Sequence, residues 1–150
     1  MSTLAAIRPD DWNLPLFVHV LGAIVLVGGV ATAASALALA RGNTGMLRTG
    51  YYSLLAVALP GWILMRIGAQ WIYDEEGFEA GEEPTWLAIG WFTADPGGAL
   101  LLVSLVVGGI GVRRLSEGKG SGLLKATMVI SLVLLAAYVL SIWAMSAKPG

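Results

Sequence analysis

The chain alternates long apolar runs with short charged ones. Residues 15–40, PLFVHVLGAIVLVGGVATAASALALA, carry no formal charge and one ionisable side chain, His19. About 20 apolar residues cross a bilayer as a helix, so this run predicts a spanning helix over 15–40. A second run predicts a helix over 46–73, kinked where Pro60-Gly61 interrupts it. In the third, Asp95-Pro96 reads as a helix start, with Asp95 as N-cap and Pro96 at the first position; that helix covers 96–115. A fourth covers 122–146. Between the second and third lies DEEGFEAGEEP, with six carboxylates in eleven residues, followed by the apolar TWLAIGWFTA. We read the latter as a short interfacial helix. The alternative is that the third helix begins near Trp86 and bends at Pro96. The pattern predicts an all-α membrane protein: one domain of 150 residues, an antiparallel four-transmembrane-helix bundle with a short interfacial segment before helix 3.

Alternating steps of three and four pick out one small or polar stripe on each helix. Helix 1 carries His19, Gly22, Leu26, Gly29, Ala33 and Ala36. Helix 2 carries Leu59, Ile63, Arg66, Gln70 and Tyr73. Helix 3 carries Gly97, Leu101, Ser104, Gly108 and Gly111. Helix 4 carries Thr127, Ser131, Leu134, Tyr138, Ser141 and Met145. A 3.5-residue period favours left-handed packing near +20°. Lipid cannot satisfy polar groups, so these stripes are expected to face inward. For Ser104, Thr127, Ser131 and the glycines, simple close packing of helices is explanation enough. Gly/Ala-rich faces of this kind also offer a route to homo-oligomers.

Composition adds exclusions. Apolar residues make up 57% of the chain and charged ones 13%, about half the usual quarter. The absence of cysteine removes disulfides, thiolate metal sites and cysteine nucleophiles. No basic stripe points to nucleic acid. Residues 14–30 followed by Ala31-Thr32-Ala33 resemble a secretory signal. The run is too long and its leader, with Arg8, Asp10 and Asp11, is not basic, so the segment is expected to be retained. Arg41, Arg48, Arg113, Arg114, Lys119 and Lys125 fall at one end of the predicted bundle, and nine carboxylates from Asp10 to Asp95 at the other. Lys and Arg in short loops mark the cytoplasm. The expectation is a multi-pass protein of the plasma membrane with both termini outside.

Three helices bring polar groups to comparable depth in the outer half. His19 is the only histidine, and an ionisable residue inside a membrane helix is a functional candidate by default. Its imidazole could bond a neighbouring carbonyl or Gln70; it could also ligate haem b or copper. A single histidine restricts haem to five-coordinate or His/Met ligation, with Met65 or Met145 as thioether. A copper site from His19 and Met145 would be ligand-poor. Arg66 must pair or reach water. It either locks to Asp95 or a carbonyl, or clamps an anion such as a propionate with Gln70. Tyr138 and Ser141 would line the pocket. The carboxylates of 74–83 lack the EF-hand spacing.

The first-helix run from His19 to Gly29, HVLGAIVLVGG, resembles that of small bacterial membrane proteins of the copper-resistance D-like group, which includes the membrane-bound protoporphyrinogen oxidase. LPGWILMRIG at 59–68, PTWL at 84–87 and WAMSAKP at 143–149 look like uncharacterised four-helix membrane proteins of actinobacterial type. The wider resemblance implies a haem or copper site at or near His19. The chain departs from the group in lacking a second histidine. From the residues and the resemblance together, the first expectation is a haem- or copper-linked membrane protein. The alternatives are a transporter or channel-like protein for a small solute or ion, and a structural or partner-binding subunit docking through its Trp-rich segment.

Overall fold

A computed structural model describes residues 13–77 and 84–148. These residues form four long helices: α1, Asn13–Leu39; α2, Thr44–Glu76; α3, Thr85–Glu117; and α4, Ser121–Ala147. Each is long and apolar enough to cross a membrane. Short turns make neighbours antiparallel. Between α1 and α2, Arg41 and Gly42 adopt positive φ (45° and 86°), and Asn43 caps α2 by accepting from the Met46 amide at 3.1 Å. Gly118 and Gly120, both left-handed, turn the chain from α3 into α4.

Two elements differ from the expectation. The apolar segment before Pro96 is no separate interfacial helix. It is the start of α3, which is α-helical without a break over Thr85–Arg114 with Pro96 inside. The alternative start near Trp86 is therefore the one observed. Asp95 lies within this helix rather than capping it, and its carboxylate is drawn sideways to Arg66. Membrane helices tolerate proline within the span; two residues beyond the Phe92 carbonyl that Pro96 leaves without its helical donor, the Trp62 indole N–H ties α2 to α3 by donating to Ala94 O at 2.9 Å. In α2, Leu54–Ala58 is a π-helical turn, with the Leu59 N–H bonded to Leu54 O. This turn immediately precedes Pro60, whose ring would crowd the carbonyl four residues back in a regular helix. The wider turn inserts one residue and rotates everything beyond it.

α1 and α2 approach backbone to backbone. The missing Cβ atoms of Gly22 and Gly29 make room for the backbones of Met65 and Ala58. Gly61 and Gly68 do the same for Leu26 and His19. Both glycine pairs are seven residues apart, so all four contacts share one antiparallel register. Ser53 Oγ fastens the seam by donating to Gly29 O at 2.8 Å. These glycines work inside the bundle and are not free for an oligomer interface. Toward the basic end, Leu26, Val30, Ala33, Leu54, Ala58, Leu101 and Leu134 are essentially inaccessible. Ser104, Thr127 and Ser131 are buried among them, each donating to a carbonyl of its own helix at 2.8–2.9 Å. They are packing residues.

The inward stripes hold for α1, α3 and α4 through most of their length. In α2 the expected stripe is off by one helix position. Ile63 and Gln70 are exposed, and from Leu54 onward the buried residues are Leu54, Ala58, Gly61, Met65 and Gly68. They follow the same four-three rhythm from a different start.

Candidate functional site

At the end of the bundle where α1 and α3 begin and α2 and α4 end, the helices enclose a cavity of about 680 Å³. That lies within the ~300–1,000 Å³ usual for small-molecule sites. Its floor is Leu26, Met65, Ala94 and Tyr138, which also belong to the core. Its wall includes His19, Trp91, Ser141 and Met145, and its rim Tyr73, Glu76, Trp86 and Lys148. Small residues shape it. Gly90 leaves room for the Met145 thioether methyl, and Gly97 for the Tyr138 hydroxyl, which lies 2.9 Å from where a Cβ would be.

His19 reaches this wall because Gly68 lets α2 press against its backbone. Its Nδ1 lies 3.0 Å from Met65 O on α2. A carbonyl only accepts, so Nδ1 carries the proton and donates. In the neutral ring Nε2 then holds a lone pair, and it has no hydrogen-bond partner among the described residues. Metal-ligating histidines almost always fix their second nitrogen in this way. The Tyr138 hydroxyl is buried without a hydrogen-bond partner, a state that costs about 1–3 kcal/mol.

The structure thus gathers His19, Tyr138, Ser141 and Met145 around one cavity but leaves Arg66 and Gln70 outside it. These two face the α2–α3 seam. Arg66 Nε donates to Asp95 Oδ1 at 2.9 Å and its Nη1 to Gln70 Oε1 at 3.2 Å, while Gln70 Nε2 donates to Asp74 Oδ1 at 2.9 Å. The guanidinium also lies 4.2 Å from the centroid of Trp91. Of the two sequence readings of Arg66, the lock to Asp95 is the one formed. Arg66 does not line the cavity; its bonds to Asp95 and Gln70 and its stacking on Trp91 hold it at the α2–α3 seam instead. Of the readings of His19, the carbonyl bond is formed and the Gln70 bond is not.

Trp91, Glu76 and Lys148 join the site without having been singled out for it. Met65, expected as a possible thioether ligand, does line the cavity, and it shares the Gly61–Gly68 face. Residues 78–83, with three of the six carboxylates of the acidic run, lie outside the described residues. Among the described residues, no group of three His, Cys, Asp or Glu side chains could hold a metal ion. Bare copper would therefore depend on His19 and thioethers alone. A haem iron needs only one strong protein ligand, since the porphyrin supplies the rest. The imidazole, its fixed tautomer and the apolar cavity fit that group, and they do not fit zinc. No protein-family model, curated protein or solved structure matches the sequence, so the reading of the site rests on its own residues.

Proposed function

We propose that this small multi-pass membrane protein holds a haem, or a closely similar planar metal cofactor, in the cavity, with His19 Nε2 as the group that would bind its metal. The observation that carries the reading is the Nδ1–H···O=C bond to Met65. It sets the tautomer and leaves Nε2, without a partner among the described residues, as the lone-pair nitrogen of a side chain that lines an apolar cavity. Met145, which also lines the cavity, would offer a second, weaker donor. Ser141 would supply a hydroxyl to the cavity, while the Tyr138 ring lies at the floor with its hydroxyl buried against Gly97.

The charge distribution supports placing the cavity outside and the basic loops in the cytoplasm, as expected for a plasma-membrane protein. Beneath the floor the four helices are close-packed through layers of fully buried Leu and Val. That favours a binding protein over a transporter or channel. Purified protein in micelles should give a Soret band, either as isolated or on titration with haemin, and His19→Ala should abolish it while leaving the helical circular-dichroism signal intact. A haemin titration whose Soret band stays that of free haemin in micelles, or shifts equally in His19→Ala, sinks the proposal.

A further inference from the structure

Charged positions on the two longest helices measure where the bilayer lies. Eighteen residues separate Arg48 from Arg66 on α2, and eighteen separate Asp95 from Arg113 on α3. At ~1.5 Å per residue each interval is about 27 Å, close to the ~30 Å of hydrocarbon in a bilayer. Both helices run 33 residues, about 50 Å. The ten residues of α2 beyond Arg66 and the ten of α3 before Asp95 therefore stand outside the hydrocarbon. His19, packed against Gly68, lies level with this boundary. Trp71, Trp86, Trp91 and Trp143 gather at the same end, as interfacial tryptophans do. The cavity thus sits at the head-group layer, its floor just inside the apolar region and its rim in water.

A ligand in such a place is amphiphilic, with an apolar body between the helices and a charged end at the rim. Lys148 stands on that rim. Its Nζ lies 5.0 Å from the centroid of Trp86, and the protein's one salt bridge among the described residues belongs to Arg66 and Asp95. The rim acid Glu76 has an interaction partner of its own. We propose that Lys148, held over Trp86, is the anchor for the carboxylates of the bound cofactor, the role that the sequence suggested for Arg66. This rests on the haem reading above, for which the carboxylates are the propionates.

The test compares haemin with haemin dimethyl ester, which keeps the ring and iron but removes both charges. Each is titrated by its Soret band into wild type, Lys148→Ala and Lys148→Glu in micelles at low and high ionic strength. Lys148→Ala should weaken haemin binding by up to about fivefold, the range of an exposed ion pair, and Lys148→Glu should weaken it further. The ester should bind all three proteins alike. Salt should lower haemin affinity in wild type and leave the ester unchanged. Equal affinity of acid and ester in wild type, or equal losses for both in the variants, overturns the anchor while leaving the His19 ligand standing. If neither compound gives a His19-dependent Soret band, the haem reading itself falls, and the anchor with it.

Discussion

Gly22→Ala and Gly28→Ala place the same methyl group on the same helix, six residues apart, and should change stability in opposite directions. At Gly22 the new Cβ would meet the Met65 backbone, with Met65 Cα at 2.7 Å and Gly61 O at 2.8 Å. Carbon atoms rest about 3.5–4.0 Å apart, so α1 and α2 must separate by about 1 Å. No flexible side chain can absorb that, because the obstacles are main-chain atoms. A gap of that size forfeits about a quarter to a half of each dispersion contact along the seam, and overpacking of this kind costs about 1–3 kcal/mol. At Gly28 nothing lies within 4 Å. Both substitutions share the gain of up to about 1 kcal/mol that Ala has over Gly in a helix. The propensity term cancels between them, and their difference isolates the cost of the close approach. Unfolding of both variants in micelles, followed by circular dichroism against added SDS or temperature, measures it. Gly28→Ala should match or exceed wild type, and Gly22→Ala should fall below it by about 1–2 kcal/mol once the propensity gain is counted. Equal midpoints for the two variants would refute the backbone-to-backbone seam.

Two further substitutions probe the rest of the bundle with the same assay. Tyr138→Phe removes a buried hydroxyl that lacks a hydrogen-bond partner and keeps the ring, so the cofactor-free protein should become more stable by about 1 kcal/mol; a loss of that size would mean the hydroxyl is satisfied in the folded state. A double-mutant cycle on Arg66→Leu and Asp95→Leu should give a coupling below about 1 kcal/mol, because the two side chains are 27% and 55% exposed. A coupling of several kcal/mol would place the pair inside the hydrocarbon and contradict the depth deduced from the helix lengths.

Much of the fold could be read from the residues, and the error on α2 has a physical source. Stripes on α1, α3 and α4 were legible because Gly, Ser and Thr within hydrocarbon belong where helices touch. The same reasoning chose the wrong face of α2. It assumed that polar side chains must turn inward, and Arg66 and Gln70 were the most polar residues of the run. That constraint acts only within the hydrocarbon. α2 is longer than the membrane is thick, so at its outer end Arg66 and Gln70 are free to turn sideways to Asp95 and Asp74. The π turn before Pro60 further breaks the regular count that carries a stripe from one end of a helix to the other. A better guide lay in the spacing of glycines. Gly61 and Gly68 match Gly22 and Gly29 at seven residues, and paired heptads of the smallest residue identify two backbones in contact. Misjudging the α2 face also drew Arg66 and Gln70 into the expected site. Once Gly61, Met65 and Gly68 are seen to face α1, the Met65 carbonyl falls beside His19, and the histidine acquires a fixed tautomer and a free Nε2 rather than a Gln70 partner. Polarity locates the site's chemistry only after the smallest residues have settled which helix faces which.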